Sequence, residues 1–261
     1  MIRTLLKKIV PASLKRQYRS YVKREQIKPY KGDIVFCPIC NSRFKEFGPF
    51  GVGQRKNARC HTCGALERHR LLWKYLHEKT DLFTSGKTVR LLHFAPEPVF
   101  YAVFSGNECI DYTPCDLFPE QYAYKGEVKI EKVDITKIPF TDNYFDVILC
   151  NHVLEHIPDD SLAMSELCRV IKKGGWAILQ VPIDYRRETT YEDFSITSPE
   201  ARVQAFGQND HVRWYGRDYK NRLAEAGFKV TEDEYVRSFS STDLLRFGLS
   251  AEELIYYCEK K

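Results

Sequence analysis

Read by its apolar and polar positions, the chain changes character twice. Residues 1–31 predict two helices interrupted at Pro11, with Leu5, Leu6, Ile9 and Val10 on one apolar stripe and Leu14, Tyr18, Tyr21 and Val22 on the next. Residues 32–66 lose that period and set cysteine pairs around Gly48, Gly51 and Gly53. Helical spacing returns from Leu66 to about Glu78, where Leu71, Leu72, Tyr75 and Leu76 share a face. Short apolar runs then alternate with helical stretches. Val89–Phe94 predicts a buried strand, and Pro98–Phe104 a short helix with Pro98 in its first turn. A second strand lies in Glu108–Tyr112 or Pro114–Leu117, a third in Glu127–Val133 and a fourth in Phe145–Cys150. Ser161–Lys172 reads as an amphipathic helix ended by Gly174-Gly175. Trp176–Pro182 is a fifth strand, 184–213 a long polar and aromatic insertion, and Tyr215–Ala226 a helix stopped by Gly227. Phe228–Val236 and Glu253–Glu259 close the set. Seven strands interleaved with helices predict an α/β fold: a mostly parallel, Rossmann-like sheet with helices on both faces.

Composition divides the same way. The 261 residues carry 40 Lys+Arg and 35 Asp+Glu, a net charge of +5. Residues 1–31 hold ten bases and one acid, residues 32–66 five and two, and residues 67–261 twenty-five and thirty-two. The chain therefore reads as a basic leader (1–31), a small basic module (32–66) and a mildly acidic body (67–261). No apolar run reaches the roughly 18–20 residues that span a bilayer. Lys7, Lys8 and Pro11 break the only stretch resembling a secretory leader, so a cytoplasmic protein is expected. The leader is suited to the protein's own acidic body, a protein partner or an anionic membrane surface. In the last case the protein would sit at the inner face of the membrane, since each basic residue near anionic lipid contributes about 1 kcal/mol. The negative body disfavours nucleic acid as a partner.

Four of the nine cysteines form two C-x2-C pairs, Cys37/Cys40 and Cys60/Cys63, nineteen residues apart. Each short turn can offer two thiolates to one ion, and the spacing predicts a closed, structural zinc ribbon. His61, inside the second pair, is a competing ligand. The other five cysteines are scattered and read as ordinary thiols.

The segment from Val133-Asp134-Ile135-Thr136 through Asp142-Asn143-Tyr144-Phe145-Asp146 and Asn151-His152-Val153-Leu154-Glu155-His156 to Glu166-Leu167-Cys168-Arg169-Val170 resembles the class I S-adenosylmethionine-dependent methyltransferases, in the branch whose fourth strand runs into H-V-L-E-H. The resemblance spans about residues 89–236. It implies S-adenosylmethionine as cofactor, with Asp116 and Leu117 at the ribose and Asp134 and Ile135 at the adenine. Asn151 and His152 would lie near the transferred methyl group. Asp111 competes with Asp116 for the ribose role. The first loop departs from the family's glycine-rich pattern. It reads Leu92-His93-Phe94-Ala95-Pro96-Glu97-Pro98, which places His93, Ala95 and Glu97 along the methionine part of the cofactor. Either the loop is rebuilt, with Glu97 facing the cofactor's ammonium group, or the domain is a non-catalytic scaffold.

No N/D-P-P-F/Y arrangement follows the fourth strand, which argues against methylation of a nucleobase amine. In the insertion, His211 is a candidate general base, with Asp210 or Glu192 to orient it. His152 is the second catalytic candidate. Tyr185 and Arg213 are candidates for substrate contact. The expected reaction is O-methylation of a small-molecule or glycan-linked hydroxyl. The alternatives are an RNA methyltransferase that uses the ribbon and leader for binding, and a binding module without catalysis.

Overall fold

A computed structural model of the chain describes residues 12–51, 53–124 and 128–261. The first helix expected in the leader lies outside the described residues. In chain order the elements are α1 (Ala12–Ile27), β1 (Lys31–Cys37), β2 (Ser42–Phe44), β3 (Gly48–Phe50), β4 (Arg55–Arg59), α2 (Glu67–Glu78), β5 (Val89–Phe94), α3 (Pro98–Phe104), β6 (Ile110–Asp116), β7 (Glu131–Lys132), β8 (Phe145–Asn151), α4 (Asp160–Val170), β9 (Ile171–Gln180), β10 (Tyr191–Glu192), α5 (Pro199–Phe206), β11 (Arg213–Trp214), α6 (Tyr219–Glu225), β12 (Phe228–Asp233), α7 (Ser241–Phe247) and β13 (Ile255–Lys260). Among the described residues no helix is long and apolar enough to cross a membrane.

The described residues form two compact units, one lying within residues 1–73 and 239–251, the other within 74–238 and 252–261. The first unit joins two antiparallel hairpins, β1–β2 and β3–β4. Residues 239–251 belong to it rather than to the sheet unit that flanks them in sequence. The Arg70 guanidinium, fully buried, explains why. It donates to the carbonyls of Ala58 (2.9 Å), Ala65 (2.8 Å), Phe247 (2.5 Å) and Gly248 (2.8 Å), and lies 3.9 Å over the Phe47 ring. Gly248 adopts φ +56°, and a Cβ there would come 2.7 Å from Phe47, so both the turn and the packing require glycine.

The second unit is a seven-stranded sheet in the order β12-β13-β9-β8-β5-β6-β7, in which only β13 runs antiparallel. β5 and β8 are buried nearly throughout, as central parallel strands covered on both faces must be. α4 begins at the cap of Asp159, whose carboxylate accepts from the Leu162 N–H at 2.9 Å. It ends at Val170, and strand β9 starts at once, so Gly174-Gly175 is not a helix stop. The pair lies inside β9, where the register against β8 slips between Phe145↔Ile171 and Val147↔Trp176. Gly174 has φ +75°, and a Cβ on Gly175 would meet the Asp146 carbonyl at 2.6 Å. The glycines thus form a bulge that strand β8 approaches closely. The helix expected from Tyr215 begins only at Tyr219, and the third strand is reduced to Glu131–Lys132. The insertion folds as a short β10–β11 hairpin carrying α5.

Candidate functional site

Parallel strands bring their carboxyl ends to one edge. Here that edge carries Phe94, Asp116, Lys132 and Asn151, with the order reversing between β5 and β8. Such a switch point leaves a crevice for a ligand. His93, at the end of β5, is fully buried. Its Nδ1 lies 2.9 Å from the Tyr112 hydroxyl and its Nε2 2.8 Å from Glu97 Oε2. One neutral tautomer satisfies both contacts: Nε2–H donates to Glu97, and Nδ1 accepts from Tyr112. The other Glu97 oxygen accepts from Asn151 Nδ2 at 3.2 Å. Glu97 thus bridges β5 and β8 at the switch point. Asn151 Oδ1 is buried without a partner, leaving a second acceptor beside that carboxylate. Ala95, at φ +47°, makes the turn that a glycine would usually make, and its N–H donates to the Cys115 carbonyl at 3.0 Å.

Asp116 ends β6. Its Oδ1 accepts from the Phe118 N–H (2.8 Å) and its Oδ2 from the Tyr122 hydroxyl (2.7 Å). A carboxylate has about four lone-pair sites, so acceptor capacity remains on both oxygens. Leu117 beside it is exposed. Asp111 points elsewhere, 3.8 Å from exposed Arg90. Asp134 Oδ1 accepts from the Thr136 N–H (2.9 Å) and hydroxyl (2.7 Å), which hold its carboxyl below the usual range. The Ile135 side chain is buried. The sequence reading missed Tyr112, Tyr122 and Tyr124. The Tyr124 hydroxyl donates to the Pro96 carbonyl at 2.7 Å, tying the loop after β6 to the first loop, and burial pushes its pKa up to about 12. The spacing Tyr122-Ala123-Tyr124 just after Asp116 was the available signal.

His152 follows β8 at φ +56°, with its Nε2 unpartnered and its Nδ1 3.5 Å from Glu155 Oε1. His211 is 2% exposed, in edge contact with the rings of His156 and Trp214. Burial lowers its pKa. Neither expected partner orients it: Asp210 pairs with His156 at 3.5 Å, and Glu192 with Arg213 at 2.9 Å. The substrate role for Arg213 is corrected. This side chain is 1% exposed and donates to Glu192 (2.9 Å) and to the carbonyls of Leu154 (3.0 Å), Ile157 (2.5 Å) and Pro158 (2.9 Å). With its donors spent inside the protein, Arg213 braces the insertion against the turn after β8. Tyr185 is half-buried, and burial raises the pKa of its hydroxyl.

In the first unit, the sulfurs of Cys37, Cys40, Cys60 and Cys63 gather within 4.8 Å of one another. Cys37–Cys63 is 3.7 Å and Cys40–Cys60 is 3.6 Å. Tetrahedral thiolates bound at about 2.3 Å lie roughly 3.8 Å apart, so the cluster fits a zinc ion with little movement. His61 is outside it: its ring stacks on Tyr30 at 4.1 Å, and its Nε2 faces the Glu46 carbonyl.

The strand order, with its one antiparallel member next to the edge, and the acidic side chains after β6 and β7 define a Rossmann-like methyltransferase fold. The sequence profile of the methyltransferase domain matches residues 100–179. An uncharacterised methyltransferase of Schizosaccharomyces pombe is 31% identical over 163 residues, 59% of this chain and 56% of that protein. The ubiquinone biosynthesis O-methyltransferase of Paraburkholderia phymatum is 28% identical over 116 residues, 43% of this chain and 48% of that one. The chain thus spans about half the length of such curated relatives. A crystal structure of an S-adenosylmethionine-dependent methyltransferase from Mesorhizobium loti is similar with a TM-score of 0.48 and 13% identity, over 72% of this chain and 97% of that one.

Proposed function

We propose that this chain is an S-adenosylmethionine-dependent methyltransferase that O-methylates a small-molecule or glycan-linked hydroxyl, with a structural zinc ion in the four-cysteine cluster. The observation that carries the reading is the Tyr112–His93–Glu97–Asn151 chain at the switch point. It supplies a fixed carboxylate and the free Asn151 Oδ1 where the resemblance places the cofactor's ammonium group. Asp116 and Asp134 complete the cradle for ribose and adenine. S-Adenosylmethionine supplies an activated methyl group; the protein's task is to align the acceptor oxygen with it and receive the hydroxyl proton. His152 suits the second role better than His211, because it follows β8 at the carboxyl edge of the sheet and is partly exposed, whereas His211 is buried. The lack of an N/D-P-P-F/Y turn favours oxygen over a nucleobase amine, and the negative charge of residues 67–261 favours a glycan or small molecule over RNA.

Transfer of labelled methyl groups from S-adenosylmethionine to glycan, small-molecule and RNA fractions tests this. Base-stable label in glycans or small molecules is expected. Label confined to RNA would replace the reading with the RNA alternative, and no label in any fraction would favour a non-catalytic scaffold.

A further inference from the structure

We propose that Glu155, His156 and His211 form a second metal site, for a borderline divalent transition-metal cation such as zinc or cobalt, between the turn after β8 and the insertion. Each of the three offers a ligand atom within 4.8 Å of the others. Two buried groups there lack what a cation would provide. Glu155 is 1% exposed, and its Oε2 has no hydrogen-bond partner. Near its Oε1 lie two imidazoles, His152 Nδ1 at 3.5 Å and His156 Nε2 at 4.0 Å. His211 Nδ1 is likewise buried without a partner. A carboxylate oxygen buried without a donor is costly.

The surroundings are built to present lone pairs. His156 Nδ1 leans on Asp210, 3.3 Å from its carbonyl and 3.5 Å from its carboxylate. This places the proton on Nδ1 and leaves Nε2 free on the Glu155 side, the usual way an outer partner orients a metal-binding histidine. The two segments are clamped together. The Val212 N–H donates to the Glu155 carbonyl at 3.0 Å, and Arg213 holds the Leu154 carbonyl. Two imidazoles and one carboxylate suit zinc, cobalt, nickel or iron, and suit the oxygen-preferring magnesium and calcium poorly. Ligands on one ion at about 2.1 Å stand roughly 3.4 Å apart, so side-chain shifts of about 1 Å close the set. Three protein ligands leave a coordination position open. The proposal does not rest on methyl transfer.

The test uses the full chain with its cysteine cluster first loaded with zinc, titrated with cobalt(II) alone and followed by visible absorption. The expected result is one further equivalent of cobalt, with a d–d band of nitrogen/oxygen type and no thiolate charge-transfer band. Glu155→Gln, which preserves shape, and His211→Asn should weaken that binding at least about tenfold, and Asp210→Ala, through the outer partner, by about tenfold. Wild-type protein that takes up no second equivalent, or shows only the thiolate band, would overturn the proposal. Equal cobalt binding by wild type and Glu155→Gln would also overturn it.

Discussion

Replacing Arg213 with methionine should destabilise the sheet unit severely without acting through substrate. The guanidinium donates to three backbone carbonyls and to Glu192, and lies 3.7 Å from Asp160. Hydrogen bonds from a charged donor contribute about 1.5–3 kcal/mol each. The sum overstates the loss, because the acids keep other partners. Asp160 retains Arg222 at 2.7 Å and Tyr215 at 2.6 Å, and Glu192 retains Arg222 at 3.3 Å. What stays unmet is the set of carbonyls at Leu154, Ile157 and Pro158. Breaking one partner out of such a buried network costs about 3–5 kcal/mol. At roughly 2–4 °C per kcal/mol for a domain of this size, Tm should fall by about 6–20 °C. Arg213→Lys should fall between, since an ammonium cannot reach all the acceptors of the fork. Urea and thermal unfolding followed by circular dichroism, at fixed zinc concentration, read the effect. A methionine variant within about 1 kcal/mol of wild type would refute the brace. A raised KM for the acceptor at unchanged stability would restore the substrate role.

Three further outcomes are expected. Cys37→Ser, or chelation of the wild type, should remove the metal and unfold the first unit, read by metal content and protease sensitivity of residues 31–66; intact protection in metal-free protein would contradict the structural role. Asp116→Asn should weaken S-adenosylmethionine binding by roughly 10–100-fold, the equivalent of about 1.5–3 kcal/mol of charge-assisted bonding, measured by calorimetry. Glu166, beside Arg169 (2.6 Å) and accepting from the Ile138 N–H (2.8 Å), is held below its ordinary value of 4.5. Its contribution is full above pH 4.5 and is lost as pH falls through the folded-state value, so Glu166→Gln should flatten the acid limb of the stability profile.

The central strands were legible because β5 and β8 are short, mostly apolar runs, as parallel strands covered on both faces require. Their neighbours were harder to read. Pro114 lies within β6, so the second strand looked like two alternatives. Gly174-Gly175 has the composition of a helix cap, and only the register slip against β8 shows it to be a bulge. Local motifs exposed the four cysteines, Asp116 and Asp134. Long-range pairing did not show. Arg213 meets acceptors more than fifty residues earlier, and Arg70 holds carbonyls 177 and 178 residues later. No local pattern marks such partners, so a buried brace looked like a substrate arginine, and residues 239–251 looked like part of the sheet unit. Glu97 was in view from the first loop alone, but its contact with Asn151 was not, because that pair spans 54 residues and depends on β5 and β8 being neighbours.

The central claim is that the glycine-free first loop still forms a cofactor site around Glu97. Calorimetric titration of the wild type and Glu97→Gln with S-adenosylmethionine tests it most directly. Saturable one-to-one binding by the wild type is expected, weakened by about tenfold or more in the variant. No binding by folded wild-type protein, or an unchanged Kd in Glu97→Gln, would contradict it.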